Sequence, residues 1–596
     1  MLATAAVAAE TNSPPTFQIS SFEVEGNTVL PREKIDAILT NYAGHVTVDR
    51  LTEGLGALQL LYRNLGFATI SVTLPQQRLT NGVVRVRVVE GRLARIDVVG
   101  NRYYSSNNVM RALPGIATNT LLNNRWFQPE LDRANNNMDR SIYPSVSPGA
   151  QPGESDLTLK VKDRLPLHAH VELNNKATPG TPGLRMDTAV QYNNLWQEDH
   201  QIGIEYNFSP QDLKTFDTGS RFYDQPAVAS YSGFYRIPLG PGENYRETTE
   251  RLPVDFGYDQ ITHQFRLPPP TGGAELILYG SRSTSEIPPY FGAVTPIASN
   301  QLSTITQQTE ERDTTYSENL GMKFTLPMKT FASIRSSLTF GIDFKTYSPS
   351  FYLTNYSYFS LYSLDQFGNP ALVTNQTIAL AADTHYRLDY FPLSLGWSAE
   401  RPDSFGDTTF TINESIFLSG LSSSREAFET VAGAAQAGGN YGVTTAGLTR
   451  EQRLGRDWSL LLRSDGQWAA KPLINNEQFA LGGSGGVRGY EEGETYGDAG
   501  WRLMADVRAP AIAVGEFPYF GRSIPANIRA SVFMDYGENM LIDRPGDIRL
   551  WGTGVGFYYT AGQRVDARLT LAWALNNGPL RSVGNTSAYF TIGLQL

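Results

Sequence analysis

The chain has 596 residues, enough for several domains, and a formal net charge of −10 from 49 Lys and Arg against 59 Asp and Glu. It contains no cysteine, which excludes disulfides and thiolate metal sites, and the negative balance argues against a nucleic-acid partner. No run of about 20 apolar residues exists, so no transmembrane helix is expected; barrel strands, which need only ~9–11 residues of alternating character, are not excluded by that.

Residues 1–16 read as the remnant of an export signal and a short linker, with Ala6-Val7-Ala8 as a small-x-small cleavage pattern and Pro14-Pro15 breaking any helix. From Phe17 to Arg164 the chain is mixed α and β, and it repeats. Phe22-Glu23-Val24-Glu25-Gly26-Asn27 recurs 74 residues later as Ile96-Asp97-Val98-Val99-Gly100-Asn101, each a short alternating strand closed by a Gly-Asn turn. Helices are predicted over 31–41 and 49–65 in the first copy and over 105–113 and 128–141 in the second. In the first copy Leu51, Leu55, Leu58, Tyr62 and Leu65 share one face. Strands 83–90 and 156–163 close the two units, placed at 17–92 and 93–164.

From Leu165 to Leu596 the helical period gives way to segments of ~10 residues with a period of two. Over 565–573, Val565, Ala567, Leu569, Leu571 and Trp573 alternate with Asp566, Arg568 and Thr570. Over 501–509, Leu503, Ala505 and Val507 alternate with Arg502, Asp506 and Arg508. The pattern fits either a soluble sandwich or a transmembrane barrel with a polar lumen. Aromatics at strand ends (Trp458, Trp501, Trp551, Tyr559, Trp573) favour the barrel. Seventeen candidate strands can be marked; single-chain barrels have even numbers, so sixteen are expected. The surplus lies in 227–285, where Pro238-Leu239-Gly240 and Pro268-Pro269-Pro270 break the pattern.

Between strands 457–469 and 501–509 lies Leu481-Gly482-Gly483-Ser484-Gly485-Gly486-Val487-Arg488-Gly489-Tyr490. A solvated loop has no need of one Arg fenced by glycines, whereas a loop entering a narrow space uses the glycines for close backbone approach and meets an acid with the Arg. Further on, Phe533, Asp535 and Gly537 point to the lumen, with Val532, Met534 and Tyr536 to lipid. An inward Asp535 is the expected partner of Arg488, with Tyr490 and Phe533 flanking the pair. Arg463, Asp465, Asp506 and Arg508 are read as conduit lining, and Glu491, Glu492 and Glu494 as solvated.

Each N-terminal unit, β-α-α-β-β with its V-x-G-N turn, resembles the POTRA domain. Val487-Arg488-Gly489-Tyr490 after Gly482-Gly483 resembles the folded-in loop of the POTRA-barrel superfamily of outer-membrane proteins, and Phe533-x-Asp535-x-Gly537 its partner strand. Two repeats before a barrel are similar to the transporter half of two-partner secretion, of haemolysin-activator and filamentous-haemagglutinin-transporter type. The resemblance implies two α+β POTRA domains in the periplasm, then a 16-stranded antiparallel barrel over 165–596 in the bacterial outer membrane, with an inward-folded loop around 472–500. It also implies secretion, with or without activation, of a large partner exoprotein received in extended form, no enzymatic activity, no cofactor and no metal. Outer-membrane lipid, and periplasmic chaperones and barrel-assembly machinery during biogenesis, are the other partners it implies. The chain departs from the family in having few residues before the first repeat, where a pore-plugging helix is usual, and in ending on Leu596 rather than an aromatic.

Other readings are weaker on the residues. An assembly factor of the same superfamily is the nearest alternative, but such proteins usually carry three or more repeats; a passive porin or adhesin barrel would need neither repeats nor motifs. Gly482-x-Ser484-x-Gly486 matches the nucleophile elbow in form only, since no helix follows. His168 and His170 share a strand face but lack further metal ligands, and read as the rim where the barrel begins.

Overall fold

The computed structural model describes residues 16–78, 81–210, 228–240, 254–300 and 302–596. The export-signal reading of residues 1–15 lies outside these. The described residues form two compact units that divide between Pro166 and Leu167.

In the first unit, the first repeat runs β1 (Thr16–Ile19), β2 (Ser21–Glu25), α1 (Arg32–Leu39), β3 (Gly44–Thr47), α2 (Val48–Asn64), β4 (Ile70–Thr73) and β5 (Val83–Glu90). β5 lies between parallel β2 and antiparallel β4, and β1 pairs with β3, a pairing the sequence pattern had not revealed. Thr47 caps α2 by accepting from the Arg50 N–H at 3.3 Å. The expected face of α2, Leu51, Leu55, Leu58 and Tyr62, is buried against Val84, Val86 and Val88. The second repeat has β6 (Arg92–Val99), α3 (Ser106–Arg111), α4 (Asn124–Ala134), β7 (Arg140–Pro148) and β8 (Glu154–Asp163), with sheet order β6-β8-β7. The V-x-G-N turns are explained by Gly26 and Gly100, at φ +83° and +85°, where a side chain would run into Val88 O and Val161 O.

The second predicted helix of this repeat was misplaced. It begins at Asn124, because the Asn123 side chain accepts from Arg125 N at 2.9 Å, and it stops at Ala134; 140–148 is strand. Pro129 sits inside the helix. The same device covers the start of one sheet edge in both repeats: Gln59 bonds Ile70 O and Val72 N at 2.5 and 2.7 Å, and Asn135 bonds Ile142 O and N at 3.0 and 2.6 Å.

The second unit is a closed antiparallel barrel. Its first four wall strands are β9 (Leu167–Asn174), β10 (Arg185–Leu195), β11 (His200–Phe208) and β12 (Val228–Pro238). A small separate hairpin follows, β13 (Gly257–Asp259) and β14 (Gln264–Arg266). The wall resumes with β15 (Glu275–Phe291), continued by β16 (Thr295–Ser299), then β17 (Ser303–Phe331) and β18 (Ile334–Leu364). The next strand is interrupted as β19 (Pro370–His385), β20 (Leu388–Tyr390) and β21 (Leu393–Asp403). After β22 (Gly406–Phe417) comes α5 (Arg425–Ala432), then β23 (Tyr441–Gly455) and β24 (Trp458–Ala469). A second inner hairpin, β25 (Phe479–Leu481) and β26 (Thr495–Gly497), precedes β27 (Ala499–Arg508), which β28 (Ile512–Tyr519) continues. β29 (Arg522–Met540), β30 (Ile548–Ala561), β31 (Val565–Ala574) and β32 (Thr586–Gln595) complete the wall.

β15 and β16 both pair with β17, β19 to β21 all pair with β18, and β27 and β28 both pair with β29, so each group is one strand. The described residues therefore contain sixteen wall strands, closed where β32 pairs with β9. The surplus seventeenth candidate in 227–285 is the β13–β14 hairpin, which pairs only with itself.

The barrel is inside out relative to a soluble core. On β10 Val190 is exposed and Gln191 buried; on β29 Val532 and Met534 are exposed while Phe533 and Asp535 are buried. A continuous apolar outer face of this kind needs lipid, and this rules out the sandwich. At the end where β9 begins the turns are tight: Ala332-Ser333, Arg456-Asp457 and Phe520-Gly521 all have positive φ at both residues, the hairpin geometry that matches strand twist. The opposite end carries the other long connections, the exception being 239–274 between β12 and β15. β17 and β18, of 29 and 31 residues, span ~95–105 Å at ~3.3 Å per residue, far more than the ~25 Å apolar band of an outer membrane.

Candidate functional site

Residues 470–498 leave the wall after β24, and their β25–β26 hairpin lies inside the barrel. Asp498, fully buried, holds the base. It accepts from Leu473 N, Gln478 Nε2 and Ile542 N at 2.8–2.9 Å and pairs with Arg544 at 2.9 Å. Asn539 Nδ2 donates to Phe479 O and Thr495 O at 3.2 and 3.1 Å. On the facing wall, Glu477 meets Lys345 Nζ at 2.7 Å and Tyr390 Oη at 2.6 Å. The arm thus touches both sides of the lumen.

At its tip Arg488 is buried, with 5% of its surface exposed. Nε and Nη2 donate to the two oxygens of Asp535 at 2.7 Å each; Nη1 and Nη2 donate to those of Asp506 at 2.8 and 3.1 Å. The Arg488 backbone N–H adds a bond to Asp535 at 3.1 Å. The Phe533 ring lies against the guanidinium, 3.5 Å from Cζ to ring centroid. Only a planar fork can serve two carboxylates in this way. Asp506 and Phe533 are directly opposite in the β27–β29 register and Asp535 is two residues on along β29, so the wall itself presents both carboxylates.

Val487, fully buried, packs with Leu481, Tyr490, Leu550 and Ala574. A side chain at Gly537 would strike Leu481 and Val487, so its absence makes room for the arm. Gly489, at φ +110°, lies so close to the wall that a Cβ would sit 2.8–2.9 Å from the Trp573 and Ala574 backbone. Gly482 and Gly483 form the turn before the tip, where Gly483 N donates to Val487 O at 3.2 Å.

Two expectations need correction. Tyr490 does not flank the ion pair: its hydroxyl reaches Trp551 O, Asn576 O and Asn576 Oδ1 at 2.7–2.9 Å, tying the arm to the neighbouring β30 and to the end of β31. Glu492 and Glu494 are not solvated. Glu492 accepts from Ser484 N of the arm at 2.8 Å, and Glu494 from Glu491 N of the arm at 2.9 Å and from Leu580 N and Arg581 N of the β31–β32 connection at 3.0 Å, because backbone N–H groups that leave water need acceptors. Ser484 precedes turn, not helix. His168 and His170 are buried on β9, and His170 contacts Gln595 at 2.6 Å. Arg502 pairs with Asp465 at 2.8 Å on the lumen side.

Residues 17–91 match the ShlB-type POTRA domain, and residues 419–559 match the haemolysin secretion/activation protein family ShlB/FhaC/HecB. The heme/hemopexin transporter protein HuxB of Haemophilus influenzae is 22% identical over 583 residues, covering 94% of this chain and 84% of its own. The outer membrane transporter CdiB of Escherichia coli is 25% identical over 181 residues, 30% of either chain. These matches place the chain with the outer-membrane transporters of two-partner secretion. The solved structure of CdiB from Escherichia coli shares the fold, with a TM-score of 0.54 at 17% identity over 99% of this chain and 93% of that one.

A ShlB/FhaC/HecB protein is an outer-membrane transporter of two-partner secretion, with its POTRA repeats in the periplasm. The barrel end where β9 begins is then periplasmic, and the end bearing the long connections and the outer parts of β17 and β18 is extracellular. Sequence reasoning had placed Asp506 only among lumen-lining residues and had not seen Asp498, Asn539, Asn576 or Tyr589. Tyr589 Oη accepts from Gly489 N at 3.0 Å and donates to Tyr490 O. The inward phases of β27 and β32 were signals for Asp506 and Tyr589; Asp498, Asn539 and Asn576 sit on loops or a strand end where no pattern marks them.

Proposed function

We propose that this transporter carries a large partner exoprotein outward as an extended chain, received by the repeats at 17–92 and 93–164 and passed through the barrel at 165–596. The motif residues Gly482, Gly483, Val487, Arg488, Gly489 and Tyr490, with Phe533, Asp535 and Gly537, set the position of the lumen arm during that passage. The observation that carries this reading is the buried Arg488 fork on Asp506 and Asp535: a structural ion pair of this quality, at the tip of an arm inside the conduit, fixes what occupies the conduit.

Reception by sheet extension is supported by the edges left open. In the first repeat the outer edge of β2 pairs with no strand among the described residues; in the second, β7 beyond Ile142 pairs only with β8. Tyr143 and Val146 are exposed there and would contact an added strand. Deleting residues 17–92 is expected to abolish release of the partner and leave a heat-modifiable barrel in the membrane. Unchanged release by that variant would remove the receptor role from the first repeat.

A further inference from the structure

The lumen holds a second inserted element besides the arm. The β13–β14 hairpin enters from the connection between β12 and β15, both of whose near ends are periplasmic. Its strands pair Gly257 with Arg266, Tyr258 with Phe265 and Asp259 with Gln264. Asp259 Oδ1 shapes the tip by accepting from Ile261 N and Thr262 N at 2.8 and 3.1 Å. The residues it rests on are the inward ones of the wall. Val254 and Phe256 pack on Ala189, Phe234, Ile277 and Tyr279, while the alternate residues Val190 and Leu278 face lipid. Phe265 stacks on Tyr279 with ring centroids 4.6 Å apart. At the inner end, the His263 ring stacks over Tyr496 of the arm, 6.0 Å between centroids. The two insertions therefore meet inside the barrel.

The hairpin is held less firmly than the arm. Among the described residues, 254–267 makes one hydrogen bond to a charged wall group, Tyr258 N to Glu205 at 3.0 Å, a carboxylate it shares with Ser232 Oγ at 2.5 Å; just beyond the hairpin, wall Arg236 donates to Pro268 O and Pro269 O at 2.8 and 2.7 Å. Arg266 pairs with Asp255 of the same segment at 2.9 Å. Gln260 Nε2 and His263 Nδ1 are buried without a protein partner. Beside the hairpin is a polar cavity of ≈ 300 Å³ lined by Glu172, Asp187, Arg266, Asp566 and Arg568, so this flank is not packed as a core would be. The arm tip, by contrast, is locked by four charge-assisted bonds from one guanidinium.

We propose that residues 254–267 are a displaceable stopper that closes the lumen from the periplasmic side and yields, before the arm does, to the extended client. A sixteen-stranded wall encloses room for an aqueous channel, and two insertions that touch in the middle take that room. This rests on the lumen being the client's route, as proposed above. The stopper would also limit the leak of small solutes when no client is present.

The chain has no cysteine, so a single engineered pair reports cleanly. Phe265→Cys with Tyr279→Cys, joined by a short bis-methanethiosulfonate crosslinker, which forms a disulfide with each thiol as methanesulfinate leaves, tethers the hairpin to the wall. Partner release per folded barrel should fall to background when crosslinked and return on reduction; equal release in both states overturns the proposal. Separately, replacing 254–267 by a Gly-Ser linker should raise single-channel conductance in planar bilayers several-fold, and unchanged conductance from a heat-modifiable barrel overturns it. If the deletion prevents folding, the crosslinked pair decides. A parent chain that never releases partner would defeat the transport reading while leaving the conductance result to judge the stopper.

Discussion

Replacing Arg488 by Ala removes a guanidinium that makes four side-chain bonds to two carboxylates, and leaves Asp506 and Asp535 facing each other in a buried site. Breaking a buried charged network by taking one partner costs ~3–5 kcal/mol. At ~1.4 kcal/mol per tenfold, the balance between inserted and withdrawn arm shifts by roughly two to three and a half orders of magnitude. Asp535→Ala should be milder, because Asp506 still balances the Arg charge. The Arg488→Ala/Asp535→Ala double variant should lose less than the sum of the singles, since the two share one network. Arg488→Lys restores the charge without the fork and should rescue in part. The arm's position is read by thiol labelling of a Val487→Cys reporter, fully buried when the arm is in place, and function by partner release per heat-modifiable barrel. The reasoning is refuted if Arg488→Ala releases partner normally with Val487→Cys still protected, or if the losses in the double variant are fully additive.

Other outcomes follow from close approaches and burial. Gly489→Ala should displace the arm and cut release strongly, because its Cβ has no room beside Trp573; Gly485→Ala, whose Cβ would meet nothing within 4 Å, should be near neutral, and equal effects would discredit the geometry. In the first repeat, Tyr62 is buried and donates to Asn27 Oδ1 at 2.8 Å; burial, helped by the Glu90 charge, pushes its phenol up to about 12 from an ordinary value of about 10. The phenol is neutral in both folded and unfolded chains below pH ~10, and only the unfolded chain loses its proton as pH rises further. Tyr62 therefore makes the repeat less stable as pH climbs from about 10 to about 12. The difference in tyrosinate absorbance between the parent and Tyr62→Phe should show one group titrating near 12; a group titrating near 10 contradicts the burial argument.

What could be read from residues alone was what repeats or alternates. The V-x-G-N turns, the α2 face and the lipid–lumen alternation of β27, β29 and β31 depend on local periods that the sequence carries openly. Turns were harder. Ala332-Ser333 adopts positive φ at both positions without a glycine, so no residue marks it as a tight hairpin. α4 was predicted over 128–141, whereas Asn123 is its cap and it runs from Asn124 to Ala134. In the site, Arg488 and Asp535 announced each other by chemistry, but the second carboxylate, Asp506, required the register of β27 on β29. Glu492 and Glu494 resembled surface charge because their partners are backbone N–H groups of the arm and of the β31–β32 connection, which come together only after folding. The β13–β14 hairpin had the alternation of a wall strand; its place in the lumen depends on Gly203, where a Cβ would collide with Phe256 and Phe234, and on the carboxylate of Glu205.

The central claim, that this barrel is a conduit for an extended polypeptide, is tested most directly by reconstitution. Proteoliposomes holding the full chain, with the repeats outward, are mixed with the unfolded N-terminal portion of a candidate large exoprotein, and protease-protected client is measured. Protected client should accumulate with the parent chain and fall to the level of empty liposomes with the Phe265→Cys/Tyr279→Cys pair crosslinked. No protection above empty liposomes with a properly folded parent barrel would contradict the account.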